Sequence, residues 1–270
     1  MKLEGKVAVV TGAAHGQGAN HAKFLAREGA VIIAIDICAD ISPIYPLGTS
    51  QELDETVKAC QSEGVEALAI KADVRREDQV REAVAAGIER FGKIDILCNN
   101  AGVCKVDAID EMDSKTLDAI IDVNVKGVFY MTKHVVPGMK ARRYGKIINT
   151  SSVAGIKALP YASHYAASKG AVVMATKSWA NELAEWEINV NSVAPGTILT
   201  GMITGLAGQM GDDKDPFEAF EEFNANNLFK GVRGHVTVDD ISRMVVYLAS
   251  EDARMITGQV IAVDAGWTAS

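Results

Sequence analysis

Seven short runs of branched apolar residues recur along the chain, at 7–10, 31–35, 67–70, 94–98, 146–149, 188–193 and 260–263, with longer helical patterns between them. That alternation restricts the fold more than any other feature, because strands joined through helices pair in parallel. Several runs are apolar at consecutive rather than alternate positions, as in Val31-Ile32-Ile33-Ala34-Ile35. Such strands are covered on both faces. The expected architecture is therefore α/β, a doubly wound parallel sheet with helices on both sides. Helical patterns at 18–28, 51–63, 76–90, 114–140, 163–186 and 239–249 supply the covers. Gly29, Gly64 and Gly92 follow three of them, where a left-handed cap favours glycine.

No repeat, linker or low-complexity segment divides the chain, so one domain over residues 1–270 is expected. Two connections break the rhythm. Residues 37–50 hold Pro43 and Pro46, and residues 200–233 carry Met202, Ile203, Leu206, Met210, Phe217, Phe220, Phe223, Leu228 and Phe229, with Asp212, Asp213 and Asp215 at an expected turn. Connections of this length are usually functional. The second suits a cover over an apolar ligand, since Met and aromatic side chains mould around such molecules.

The balance of 27 basic against 35 acidic residues gives a net charge of −8, with the cations scattered singly or in pairs. Nucleic-acid binding needs clustered cations, so that function class is set aside. No apolar run approaches the ~20 residues that span a bilayer, and the start of the chain lacks an export signal; a cytoplasmic protein is expected. Cys38, Cys60, Cys98 and Cys104 show no ligand spacing with the five histidines, so free thiols and no metal are expected.

Thr11-Gly12-Ala13-Ala14-His15-Gly16-Gln17-Gly18 joins the first strand to the first helix. Glycines there permit a tight turn and close approach of backbone, and the helix N-terminus offers free N–H groups to a pyrophosphate. Asp36, at the end of the second strand and about 20 residues on, is placed to accept hydrogen bonds from ribose hydroxyls and to repel a 2′-phosphate. The expected cofactor is NAD rather than NADP. His15, neutral near pH 7, is a poor phosphate ligand and does not alter that expectation.

Tyr165-Ala166-Ala167-Ser168-Lys169 sets a phenol and an amine four residues apart on one helical face. With Asn99-Asn100-Ala101-Gly102 after the fourth strand and Ser151-Ser152 after the fifth, these groups gather at the carboxyl ends of strands, where open α/β sheets bind ligands. At this point the chain resembles the short-chain dehydrogenase/reductase family over nearly its whole length. The resemblance implies a Rossmann-type seven-stranded sheet, a homotetramer, and a catalytic set of Asn124, Ser152, Tyr165 and Lys169. Ser152 is preferred to Ser151 because it lies thirteen residues before the tyrosine. By the same resemblance, Asp73 followed by Val74 lies beside the adenine, Asn100 supports the central strands, Asn124 holds a water that links Lys169 to solvent, and Pro195, Gly196, Thr197, Ile198 and Thr200 border the nicotinamide amide. Ile37, Ala101 and Gly102, together with Tyr165 and Lys169, complete the implied cofactor site.

The chemistry expected of that set is hydride exchange between a nicotinamide and an alcohol, with Tyr165 as base or acid. At a reference pKa near 10, only about one phenol in a thousand is ionised at pH 7. An ammonium about 5.5 Å away, at an effective dielectric near 20, supplies roughly 3 kcal/mol, or about two pKa units. Lys169 is therefore expected to do most of the tuning.

The start Asp36-Ile37-Cys38-Ala39 and the later Tyr45-Pro46-Leu47 resemble an insertion in carveol dehydrogenase-like and mycofactocin-coupled members. There it covers a poorly exchanging NAD, and electrons leave through a second redox carrier. The substrate class implied is a terpenoid or other lipophilic cyclic secondary alcohol and its ketone. Two other functions compete. A 3-oxoacyl-carrier-protein reductase shares the fold, but Asp36 disfavours its usual NADP. A dinucleotide-sensing regulator needs no chemistry, yet the Ser/Tyr/Lys set is whole.

Overall fold

The computed structural model describes residues 1–209, 215–229 and 231–270. Seven strands form one sheet: β1 (Val7–Thr11), β2 (Val31–Asp36), β3 (Ala67–Lys71), β4 (Ile96–Asn99), β5 (Gly145–Thr150), β6 (Ile188–Pro195) and β7 (Val260–Val263). They lie in the order β3-β2-β1-β4-β5-β6-β7, and every pair is parallel. The chain reverses its direction of travel across the sheet between β1 and β4, which opens a crevice at their carboxyl ends. The doubly wound sheet expected from the apolar runs is the one observed.

The helices are α1 (Gly16–Arg27), α2 (Ser50–Gln61), α3 (Glu77–Phe91), α4 (Ser114–Ile121), α5 (Val128–Arg142), α6 (Ser163–Leu183), α7 (Gly201–Gln209), α8 (Pro216–Phe223) and α9 (Val238–Ala249). Two apolar layers separate them from the sheet. Ala8, Val10, Ile32 and Ile96 face α1, α2 and α9, while Val9, Ile33, Leu97 and Ile147 face α3, α5 and α6. Consecutive apolar residues on each strand are thus explained by burial on both sides. Gly29, Gly64 and Gly92 all adopt positive φ just past their helices. Thr49 and Thr237 close capping boxes with Glu52 and Asp240, fixing where α2 and α9 begin.

The single helix expected over 114–140 is not what forms. Asp122–Gly127 makes a π-helical turn between α4 and α5. Such a turn inserts an extra residue without breaking the helical run, and hydrophobic periodicity does not report it. It carries Asn124.

Residues 37–49 leave the sheet edge, fold back with Ile41 and Tyr45 buried, and enter α2 through Thr49. In the second long connection, Ile203, Leu206 and Phe220 are buried in a cluster with Cys104, Ala162 and Tyr165, with Met202 and Phe223 packed at its edge. Phe217, Leu228 and Phe229 are instead exposed. The expected cover is thus confined to α7 and one face of α8. Asp215 caps α8 by accepting from Phe217 N–H. Met210, Asp212 and Asp213 lie outside the described residues.

Candidate active site

Two adjoining cavities open at the carboxyl ends of the strands. The first is bounded by Gly12, His15, Gly16, Gln17 and Gly18 on one side and by Asp36, Ile37, Asp73, Val74, Asn100, Ala101 and Gly102 on the other. The second contains Ser152, Tyr165, Lys169, Pro195, Gly196, Thr197 and Ile198. Gln17, Asn100, Gly102, Thr200 and Met202 face both.

The glycine turn is sterically compulsory. Gly12 has φ +66°, and a side chain there would stand 2.9 Å from Ala101 Cα. A methyl on Gly18 would overlap the Gly12 carbonyl and approach Asn100 Nδ2 to 2.7 Å. Asn100 in turn donates from Nδ2 to Thr11 O at 3.0 Å, joining β4 to β1 as expected of it. Asp36 is buried, and its carboxylate is fixed by Ala14 N–H at 3.0 Å and Cys38 N–H at 2.9 Å. Each oxygen keeps lone pairs for the hydroxyls of a ribose in the cleft. Gln17 Oε1, between the two cavities, is buried without a hydrogen-bond partner among the described residues. A polar, glycine-cleared cleft with an unpaired acceptor at its inner end fits a dinucleotide.

One expected cofactor residue sits differently. Ala14 does not line the cleft; it stands behind Asp36 and faces a separate surface hollow with His15 and Lys23. The Asp73 carboxylate lines the cleft but is gripped by Arg75, with Nη2 to Oδ2 at 2.7 Å.

At the reacting end, Ser152 accepts from Ala154 N–H at 3.1 Å and lies beside the Tyr165 hydroxyl. Ser151 also lines this cavity, its hydroxyl donating to Lys169 O at 3.2 Å. Lys169 Nζ lies 5.8 Å from the Tyr165 ring centre and donates to Thr150 O at 2.8 Å. Asn124 faces neither cavity, but its Oδ1 and Lys169 Nζ both lie against Gly102, 3.4 and 3.1 Å from where a side chain there would begin. Its Oδ1 accepts from Val103 N–H, and its Nδ2 donates to Val103 O and Ser168 Oγ. The amide clamps the exit of β4 to α6 because the π-helical turn swings it there.

Burial governs the electrostatics. It pushes the Tyr165 phenol well above its ordinary range, with Cys104 adding to the rise and the Ser152 side chain opposing it. It also lowers the Lys169 ammonium to about 8. Burial thus opposes the lowering of the phenol expected from Lys169. An amine near 8 is still about nine-tenths protonated at pH 7.

Residues 6–210 match the family described as short chain dehydrogenase. This chain belongs to the short-chain dehydrogenase family. An uncharacterised NAD-dependent oxidoreductase of Mycobacterium tuberculosis is 42% identical over 267 residues, covering 98% of this chain and 96% of that one. The (−)-trans-carveol dehydrogenase of Rhodococcus erythropolis is 39% identical over 273 residues, with 99% of each chain covered. A 3-oxoacyl-[acyl-carrier-protein] reductase of Thermotoga maritima is 38% identical over 98% of this chain and 99% of its own. Among solved structures, carveol dehydrogenase from Mycobacterium avium in complex with NAD superposes with a TM-score of 0.93 at 35% identity, covering 100% of this chain and 99% of that one. The chain is an NAD-dependent oxidoreductase of the alcohol dehydrogenase and ketone reductase kind.

Sequence reasoning gave the segment with Tyr45 and Leu47 as a cover over NAD but did not place Ile41 or Gly48, which also wall the dinucleotide cleft. Their Pro-flanked, aperiodic run gives no signal of direction; only the closeness of Gly48 to Ala14, where a methyl would stand 2.5 Å from Ala14 Cβ, reveals the fold-back. Cys104, Val153 and Leu159 of the reacting cavity were missed for the same reason.

Replacing Asp36 with Ser removes the carboxylate that repels a 2′-phosphate. The expected result is at least tenfold weaker NAD binding and a measurable gain in NADP binding, read by titration of cofactor fluorescence, with the preference moving by about 1–2 kcal/mol.

Proposed function

We propose that this short-chain dehydrogenase interconverts a lipophilic cyclic secondary alcohol, of the terpenoid class that includes carveol, and its ketone. One observation carries the reading. The reacting cavity sets Ser152, Tyr165 and Lys169 opposite the apolar side chains of Cys104, Val153, Leu159, Ile203, Leu206 and Phe223, with uncharged polar groups such as Thr197 and Thr200 completing the lining. Among the described residues that line it there is no carboxylate, and Lys169 is its sole permanent cation. An uncharged, water-poor ligand matches that lining.

Tyr165 removes the alcohol proton in oxidation and returns it in reduction. Ser152 donates to the same oxygen and holds it against the phenol. Lys169, tethered to Thr150 O, keeps positive charge beside the hydroxyl. Asn124 is a positioning residue that fixes the Val103 wall to α6. NAD held by the glycine turn and Asp36 would supply the hydride acceptor or donor and, in its oxidised form, a further positive charge. Ser152→Ala is expected to lower kcat by about 10²-fold with NAD affinity unchanged, because the donor to the reacting oxygen is lost.

The 3-oxoacyl-carrier-protein reductase reading is favoured by the Thermotoga maritima relative and opposed by Asp36 and by the net charge of −8, which repels an acidic carrier. A screen of secondary alcohols against an acetoacetyl thioester separates the two.

The segment at 37–49 supports placement in the carveol dehydrogenase-like, mycofactocin-coupled subgroup with tightly held NAD, because Ile41, Tyr45 and Leu47 wall the dinucleotide cleft. NAD is then expected to survive extensive dialysis, with turnover appearing only when an artificial electron acceptor stands in for the redox-carrier partner. Protein freely saturated by added NAD contradicts this. The cytoplasmic homotetramer belongs to the same reading. It draws on the exposed Phe129 and Met174 of α5 and α6, with Phe129 stacked edge-on to Trp179 at 4.8 Å.

A further inference from the structure

Tyr45 is 6% exposed and touches three parts of the site at once. Its side chain walls the dinucleotide cleft. Its hydroxyl lies close to Cys104, and Cys104 walls the reacting cavity. The root of the side chain lies under Gly205 of α7, where a methyl on that glycine would overlap Tyr45 Cβ and stand 2.5 Å from Cγ. Glycine is unfavourable inside a helix. Here the space is closed by the fixed end of Tyr45 rather than by a flexible tip, so no rotamer change admits a larger residue.

The neighbours of Gly205 complete the connection. Ile203 and Leu206 line the reacting cavity, and Met202 faces both cavities. The segment over the dinucleotide and the helix over the substrate therefore meet along one seam, closed by Tyr45 and Gly205.

We propose that Tyr45 is a positioning residue that couples cofactor release to the seating of α7. The dinucleotide leaves when the Tyr45–Gly205 seam opens, and a dinucleotide in the cleft resists the lifting of α7, since such coupling is reciprocal. The proposal rests on the reading of α7 as the substrate cover. It goes beyond that reading by assigning cofactor exchange to a contact lying outside the reacting cavity.

NADH alone is the probe, so failure of the substrate assignment leaves the test intact. Protein loaded with NADH is mixed with excess NAD, and the loss of NADH fluorescence gives the release rate. Gly205→Ala, which lines neither cavity, is expected to speed release about tenfold or more, and Tyr45→Ala to do the same; Tyr45→Phe, which keeps the ring beneath Gly205, stays within about threefold of the parent. Rescue by phenylalanine separates positioning from a general loss of structure. Release within about twofold of the parent in both alanine variants overturns the proposal. A second measurement uses the parent protein only: NADH is expected to slow amide hydrogen exchange at residues 203–207, which do not line the dinucleotide cleft. Exchange there that ignores NADH also overturns it.

Discussion

Tyr165→Phe is expected to abolish turnover, lowering kcat by about 10³-fold or more, while the NAD dissociation constant stays within about threefold of the parent. The substitution removes one oxygen atom and leaves the ring in its pocket beside Cys104 and Ile203. No other group takes over the proton. Ser152 accepts from Ala154 N–H and has no lowered affinity for its own proton, and Lys169 is occupied with Thr150 O. Because the dinucleotide cleft is built from other residues, cofactor binding and chemistry separate in this variant. Fluorescence titration with NADH and steady-state oxidation of a cyclic alcohol read the two quantities independently. Turnover within about tenfold of the parent would remove Tyr165 from the mechanism.

Lys169→Met carries the second large effect. At 5.8 Å from the phenol ring and an effective dielectric near 20, the lost charge corresponds to about 3 kcal/mol, or roughly 10²-fold in rate. Methionine fills most of the lysine's volume, so the loss reports charge rather than packing. The sign of the pH dependence follows. Lys169 favours the ionised phenol, so its removal moves the rising limb of the oxidation rate to higher pH by about two units. The same burial has a consequence for stability. The ammonium titrates at about 8 in the folded chain against an ordinary 10.5. Between those values the unfolded chain binds more protons, so the parent gains stability relative to Lys169→Met as pH rises through that window. Thermal melts of both proteins from pH 7 to 11 check it; parallel curves contradict the buried, charge-bearing position.

What sequence could reveal of this site was local. The glycine turn, Asp36 and the Tyr165/Lys169 spacing are each written within one loop, one strand end or one helical turn, and the structure gathers them around two joined cavities. The sheet was legible because strands buried on both faces cannot alternate. What stayed hidden depends on tertiary packing. A π-helical turn shifts Asn124 by a fraction of a turn, too little to disturb the hydrophobic pattern of 114–140. Burial raises the Tyr165 phenol by an amount that a pairwise charge argument omits. Tyr45 and Gly205 lie 160 residues apart, and neither carries a mark of the other.

The central claim is that the Tyr165 hydroxyl exchanges the substrate proton while NAD exchanges the hydride. The most direct test is a crystal structure of the dead-end complex with NAD and a cyclic ketone. The account predicts Tyr165 Oη and Ser152 Oγ both within about 3.2 Å of the ketone oxygen, with the carbonyl carbon about 3.5 Å from the nicotinamide. A Tyr165 hydroxyl turned away from the ketone, with protein filling the space between it and the nicotinamide, would contradict it.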